Sequence, residues 1–144
     1  MKKIAKIFTL LATIILINSC STEGNSDPSI YHKWYYKEVI YMGDSQIINS
    51  NACSGTYIEF YDFNKVKIVG ISNCHENLLA EGTFLKVENN ITTNTTVHST
   101  NEHVTQTYEI LELTKYNLTM NEDMMYYPDN TGMLVPANIS KLSR

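Results

Sequence analysis

The sequence predicts an all-β domain: a small antiparallel up-and-down barrel of about eight strands, set behind an apolar N-terminal segment and a short polar stretch. Three observations carry this. From Ile30 onward the apolar residues follow a period of two in short runs rich in aromatic and β-branched side chains. Turn residues punctuate these runs at regular spacing, and no long window outside the N-terminus has a 3.6-residue period. Most connections are short, which favours successive hairpins over a Greek key.

The N-terminal segment begins with Lys2-Lys3, continues as an apolar block from Ile7 to Ile17, and ends at Asn18-Ser19-Cys20. The block is shorter than the run of about 20 residues that a bilayer-spanning helix needs. It also lacks the polar face of a soluble surface helix. A charged start, a short apolar middle and a small-residue end are the parts of a secretory signal. Ile17-Asn18-Ser19-Cys20 resembles a bacterial lipobox, which implies that Cys20 is lipidated and becomes the first residue of the mature chain. Ile17 and Asn18 stand where such signals usually carry Leu and a small residue. A cysteine bearing several acyl chains anchors stably, where one chain would hold only marginally. Ser21 to Ser29 contains no large apolar residue and reads as a flexible tether. The chain thus divides into a signal at 1–19, a lipidated Cys and tether at 20–29, and a barrel domain at 30–144. The expected location is the cell envelope, at the outer membrane, on its periplasmic face or at the cell surface.

Removing residues 1–19 takes Lys2, Lys3 and Lys6 from the 11 basic residues, leaving 8 against 15 acidic ones and a net charge near −7. With no Lys/Arg cluster along the sequence, an acidic domain is a poor partner for nucleic acid. Repulsion from anionic headgroups leaves the acyl anchor to hold such a domain at a membrane. Of the three cysteines, Cys20 goes to lipid, and Cys53 and Cys74 remain as an even pair in an exported chain. Oxidising compartments make a disulfide the expected state; two buried free thiols are the alternative. A metal pair has no CxxC spacing or neighbouring ligands behind it.

The strands follow in order. Trp34 to Met42 alternates and is broken by Gly43-Asp44-Ser45. Gly55 to Tyr61 places Thr56, Ile58 and Phe60 on one face, and 62–65 turns. Val66 to Ile71 ends at Ser72-Asn73. Glu81 to Val87 precedes Asn89-Asn90, a pair tolerant of positive φ. Ile91 to His98 is Thr-rich. Val104 to Leu111 sets Val104, Gln106, Tyr108 and Ile110 on one face. Asn117 to Met120 follows, Met124 to Tyr127 is short or irregular, and a segment near Met133 to Leu142 closes the sheet.

Trp34 inside the first strand, Cys53, Thr56-Tyr57-Ile58-Glu59-Phe60, Cys74, Gly82-Thr83-Phe84, Tyr108-Glu109-Ile110-Leu111-Glu112-Leu113 and Leu118-Thr119-Met120 occur in an order that resembles the lipocalin-like domain of Bacteroidetes lipoproteins. The resemblance spans Trp34 to Met120, and His32 stands where the family has Gly. It implies a lipocalin-like barrel in which the early Trp34 packs across the closed end. Trp34, Tyr36, Ile58, Phe60, Phe84, Tyr108 and Ile110 would then line the interior, as core or as a ligand pocket. By period two, Tyr36 and Ile40 continue inward above Trp34, and Glu38 must reach the mouth, pair with a base, or sit at a bulge.

No catalytic motif is present: no Gly-x-Ser-x-Gly, no His-Glu-x-x-His, no phosphate loop. His32, His75, His98 and His103 are the metal candidates, but a structural zinc wants four protein ligands, and exposed hairpin positions explain them better. Glu59, Glu109, Glu112 and Glu122-Asp123 read as solvated strand and turn carboxylates. Ten tyrosines, four phenylalanines and Trp34 suit either an apolar pocket or a filled barrel interior. The expected function is therefore non-enzymatic and needs no cofactor or metal: a lipid-anchored barrel binding a small apolar or amphipathic ligand, or an interaction module meeting an envelope protein with its outer surface.

Overall fold

The computed structural model describes residues 28–48, 50, 53–124, 126–128 and 133–144. Among them the regular elements are all strands: β1 (Lys33–Tyr41), β2 (Asp44–Ile47), β3 (Ser54–Tyr61), β4 (Lys65–Ser72), β5 (His75–Val87), β6 (Asn90–Val97), β7 (Glu102–Leu113), β8 (Asn117–Glu122), β9 (Tyr126–Pro128), β10 (Leu134–Pro136) and β11 (Asn138–Ser143). One antiparallel sheet runs β11-β8-β7-β6-β5-β4-β3-β1-β2, and β11 also pairs with β1. That seam closes an eight-stranded barrel of β1, β3 to β8 and β11, with β2 as an extra strand. β9 and β10 form a separate ribbon. Neighbours in the barrel are neighbours in sequence, the up-and-down order the short connections predict. The β11–β1 pairing closes the ring, and β2 is left as the strand at the end of the sheet.

Alternation selects the interior. Trp34, Ile58, Phe60, Val66, Phe84, Ile91, Tyr108, Ile110, Leu118, Met120 and Leu142 point inward and form one buried cluster with Ile30. The wall made by β1, β3 and β4 is apolar outside as well. Tyr35 pairs with Tyr57, and Tyr57 with Val69; these residues and Ile71 form a second cluster. Lys33 Nζ sits 4.6 Å from the Tyr57 ring centroid, a cation over a π face.

Three bulges interrupt the ladder, and each changes which face the following residues occupy. In β1 the register shifts between Tyr36 and Glu38. Glu38 therefore turns outward, where its carboxylate meets Lys141 Nζ at 2.9 Å and accepts from Ser45 Oγ at 2.6 Å. Val39, opposite Ser140, takes the inward position, and Ile40, opposite Ile139, faces out. This corrects the inward placement of Ile40 that strict alternation predicts. In β5, Ile68 pairs with Ala80 and Val69 with Leu78, leaving Leu79 as the extra residue. In β7, Ile110 pairs with Met120 and Glu112 with Thr119, leaving Leu111.

Two strand limits also differ from the sequence reading. β5 starts at His75, well before Glu81, because Asn73 and Cys74, at φ 52° and 64°, make a tight turn. The bulge at Leu79 then hides the alternation of the strand's first half. Met42 and Gly43, both at positive φ, fold β2 back on β1, so the predicted break is a hairpin. β2 pairs only with the later half of β1, while β3 pairs with Lys33 to Tyr35. The gap between those halves is occupied by Ser50, whose Oγ donates to the Tyr36 carbonyl at 2.7 Å. A Cβ on Gly55 would strike Ser50, and Gly55 itself sits at φ 125°, so glycine is required there.

Candidate functional site

The interior residues singled out from the sequence come together. Trp34, Ile58, Phe60, Phe84, Tyr108 and Ile110 share one cluster, and Tyr36 packs against it. The half of the barrel around Trp34 is a filled core. Trp34 and Ile58 are completely buried, and the Phe60 and Phe84 rings meet nearly edge to face at 4.9 Å. Trp34 Nε1 donates to the Ile30 carbonyl at 2.8 Å, which ties the chain entering the barrel across this end. Arg144 at the end of β11 sits 5.9 Å from the Trp34 ring centroid, so the first and last strands meet over the indole.

The other half of the interior is polar. β8 alternates Leu118, Met120, Glu122 on its inward face, and Glu122 lies opposite Tyr108. The Glu122 carboxylate is partly buried and accepts from Ser140 Oγ and from Gln106 Nε2, the latter at 3.3 Å. Gln106 Oε1 accepts from the Tyr108 hydroxyl at 2.7 Å. Thr93 and Ser140 are buried beside this chain of bonds, and Thr93 Oγ1 donates to the Gln106 carbonyl at 3.4 Å. Burial pushes the Glu122 carboxyl above the usual carboxylate range, with Asp123 adding to the effect and the Ser140 and Gln106 hydrogen bonds opposing it. Burial raises Tyr36 and Tyr108 as well, each further raised by the Glu122 charge. Both phenols therefore stay protonated near neutral pH. Among the described residues no cation pairs with Glu122.

Reading Glu122 as a solvated turn carboxylate is thus corrected: it closes the inward stripe of β8. The period-two spacing from Leu118 through Met120 was the signal, and its polarity masked it.

Cys53 and Cys74 form a disulfide across 21 residues, joining the start of β3 to the β4–β5 turn. Cys74 N also donates to the Cys53 carbonyl at 3.1 Å. Cys20 lies outside the described residues. The histidines are spread apart: His98 Nε2 is 3.4 Å from Glu81, His103 Nδ1 is 3.0 Å from Thr96 Oγ1, and His32 stacks edge-on to Trp34. Among the described residues no three His, Cys, Asp or Glu side chains converge on a metal position. A surface groove of about 580 Å³ runs beside the β3–β4 turn, between Tyr31-His32 and Tyr61 to Phe63.

No protein-family model matches this chain, and neither does any curated protein. Among solved structures it is similar to an uncharacterized protein from Bacteroides eggerthii DSM 20697, with 11% sequence identity and a TM-score of 0.57, covering 81% of this chain and 99% of that one. At that identity the likeness concerns the fold alone.

Proposed function

We propose that this protein is a lipid-anchored envelope lipoprotein whose barrel binds a small amphipathic ligand at its polar half, with Glu122 receiving a cationic or strongly hydrogen-bond-donating head group. The observation that supports this most is a partly buried carboxylate aimed into the barrel, held by Ser140 and Gln106 with no cation beside it among the described residues. A buried carboxylate without a counter-charge is costly, and an apolar residue at the end of the β8 stripe would pack without that cost. The filled half around Trp34 limits the ligand to the Glu122 half, where Tyr36, Thr93, Gln106 and Tyr108 offer further hydrogen bonds.

The test uses a dansylated alkylamine and the matching alkyl carboxylate as probes. The amine should bind with enhanced emission, the carboxylate should not, and Glu122→Gln should weaken the amine about tenfold or more, the scale of one lost charge-assisted contact. Equal binding of the two probes, or an unaffected Glu122→Gln variant, would remove the ligand reading and leave an interaction module. The anchor is tested apart from the ligand: Cys20→Ala should move the protein out of the membrane fraction, and unchanged fractionation would overturn the lipobox reading.

A further inference from the structure

An up-and-down barrel collects alternate hairpin turns at one end. Here that end carries the β3–β4, β5–β6 and β7–β8 turns, the start of β1 and the end of β11. Contacts tie it together. The Tyr31 hydroxyl donates to the Phe63 carbonyl at 2.7 Å. Phe84 N donates to the Asn64 carbonyl, Ile110 N to that of Asn89, and Arg144 N to that of Tyr116.

Four of the eight basic residues of the mature chain lie here, all exposed: Lys65, Lys86, Lys115 and Arg144, against Asp62, Glu88 and Glu112, with Asp62 paired to Lys65 at 3.6 Å. They are far apart in sequence and reach one surface only through the topology. The same end exposes Phe63, Leu85, Val87 and Tyr116. Phe63 is 93% exposed at φ 61°. A bulky side chain in the left-handed region is an outlier, and no core packing offsets that strain.

We propose that this end docks on an anionic lipid surface, with Phe63 entering the headgroup region and Lys65, Lys86, Lys115 and Arg144 around it. The proposal rests on the lipid-anchor reading. The described chain enters the barrel at this end through Ile30, which is buried against the Trp34 core. Cys20 and Ile30 are ten positions apart, a reach of at most about 35 Å. Exposed aromatics beside basic side chains suit a membrane interface. The opposite end also exposes apolar groups, Met42, Ile47 and Leu134, but its exposed charges include Asp44, Glu102 and Asp123, which an anionic surface repels.

Trp34 is the only tryptophan and is buried, so an added tryptophan reports on its own surroundings. The lipidated full chain carrying Phe63→Trp or Ile47→Trp is reconstituted into phosphatidylethanolamine–phosphatidylglycerol vesicles with brominated acyl chains. Docking requires strong bromine quenching at position 63, little at position 47, and loss at 63 when Lys65, Lys86 and Lys115 become Gln. Each lysine removed should weaken docking about fivefold. Quenching at 63 no greater than at 47, or indifferent to the lysines, overturns the proposal. Mass measurement of the acylation at Cys20 tests the anchor separately. If that reading fails, the same variants are mixed with the vesicles unlipidated: quenching confined to position 63 upholds the docking face, and its absence overturns it.

Discussion

Replacing Trp34 by Ala tests the barrel seam most directly. The indole is completely buried among Ile30, Ile58, Phe60 and Leu142. It also satisfies the Ile30 carbonyl and lies under Arg144. Truncating a buried Trp to Ala costs about 3–5 kcal/mol, through lost transfer energy and the cavity left behind. The Ile30 carbonyl keeps its backbone bond from His32 N at 2.8 Å, so the lost indole hydrogen bond adds little beyond that range. An unfolding entropy of about 2.1 cal/mol/K per residue over a domain of roughly 115 residues gives about 0.24 kcal/mol/K, so Tm should fall by about 12–20 °C. Chemical denaturation followed by circular dichroism gives the loss directly, and the wild-type emission should be blue-shifted, as for a dry indole. Trp34→Phe keeps most of the volume and should cost about 1–2 kcal/mol, chiefly the lost hydrogen bond. A red-shifted native emission, or a loss below about 1 kcal/mol in Trp34→Ala, would falsify the closed end as described.

Reducing Cys53–Cys74, or changing both to Ser, should cost about 3 kcal/mol on the chain-entropy account of a 21-residue loop; a denaturant midpoint unmoved by reductant would contradict this. Glu122→Gln should raise stability at neutral pH. Its folded carboxyl titrates above the unfolded value, so the stability tied to the protonated form is present below the unfolded pKa and lost as pH rises through the folded one. The wild-type and Gln curves should therefore converge on acidification, and parallel curves would refute the burial of this carboxyl. Gly82→Ala should destabilise by about 1–3 kcal/mol or more, because its Cβ would strike the Asn94 carbonyl and Thr95 backbone of β6; unchanged Tm would show that β5 and β6 are less closely apposed there.

What was legible in the sequence follows from the range of the physics. Period-two runs and turn residues act over a few neighbours. They were enough to give the all-β class, the hairpin order, and the inward stripe of Trp34, Ile58, Phe60, Phe84, Tyr108 and Ile110. Parity and compartment pointed to the Cys53–Cys74 pair. The bulges at 79 and 111 were not legible, because each depends on which residue the partner strand offers opposite; at Glu38 the sequence left three outcomes open, and the register against β11 selected the bulge together with the pairing to a base. Hence Glu38 turned out toward Lys141 and Ile40 left the inward face. Glu122 looked like a turn carboxylate until Tyr108, Gln106 and Ser140 closed around it from two other strands. The basic residues at 65, 86, 115 and 144 looked scattered, and only the antiparallel order of the barrel brings them to one end. Local pattern therefore fixed which residues face inward along most strands. Strand-to-strand register, which only the closed barrel sets, decided which charges share the interior and which share a surface.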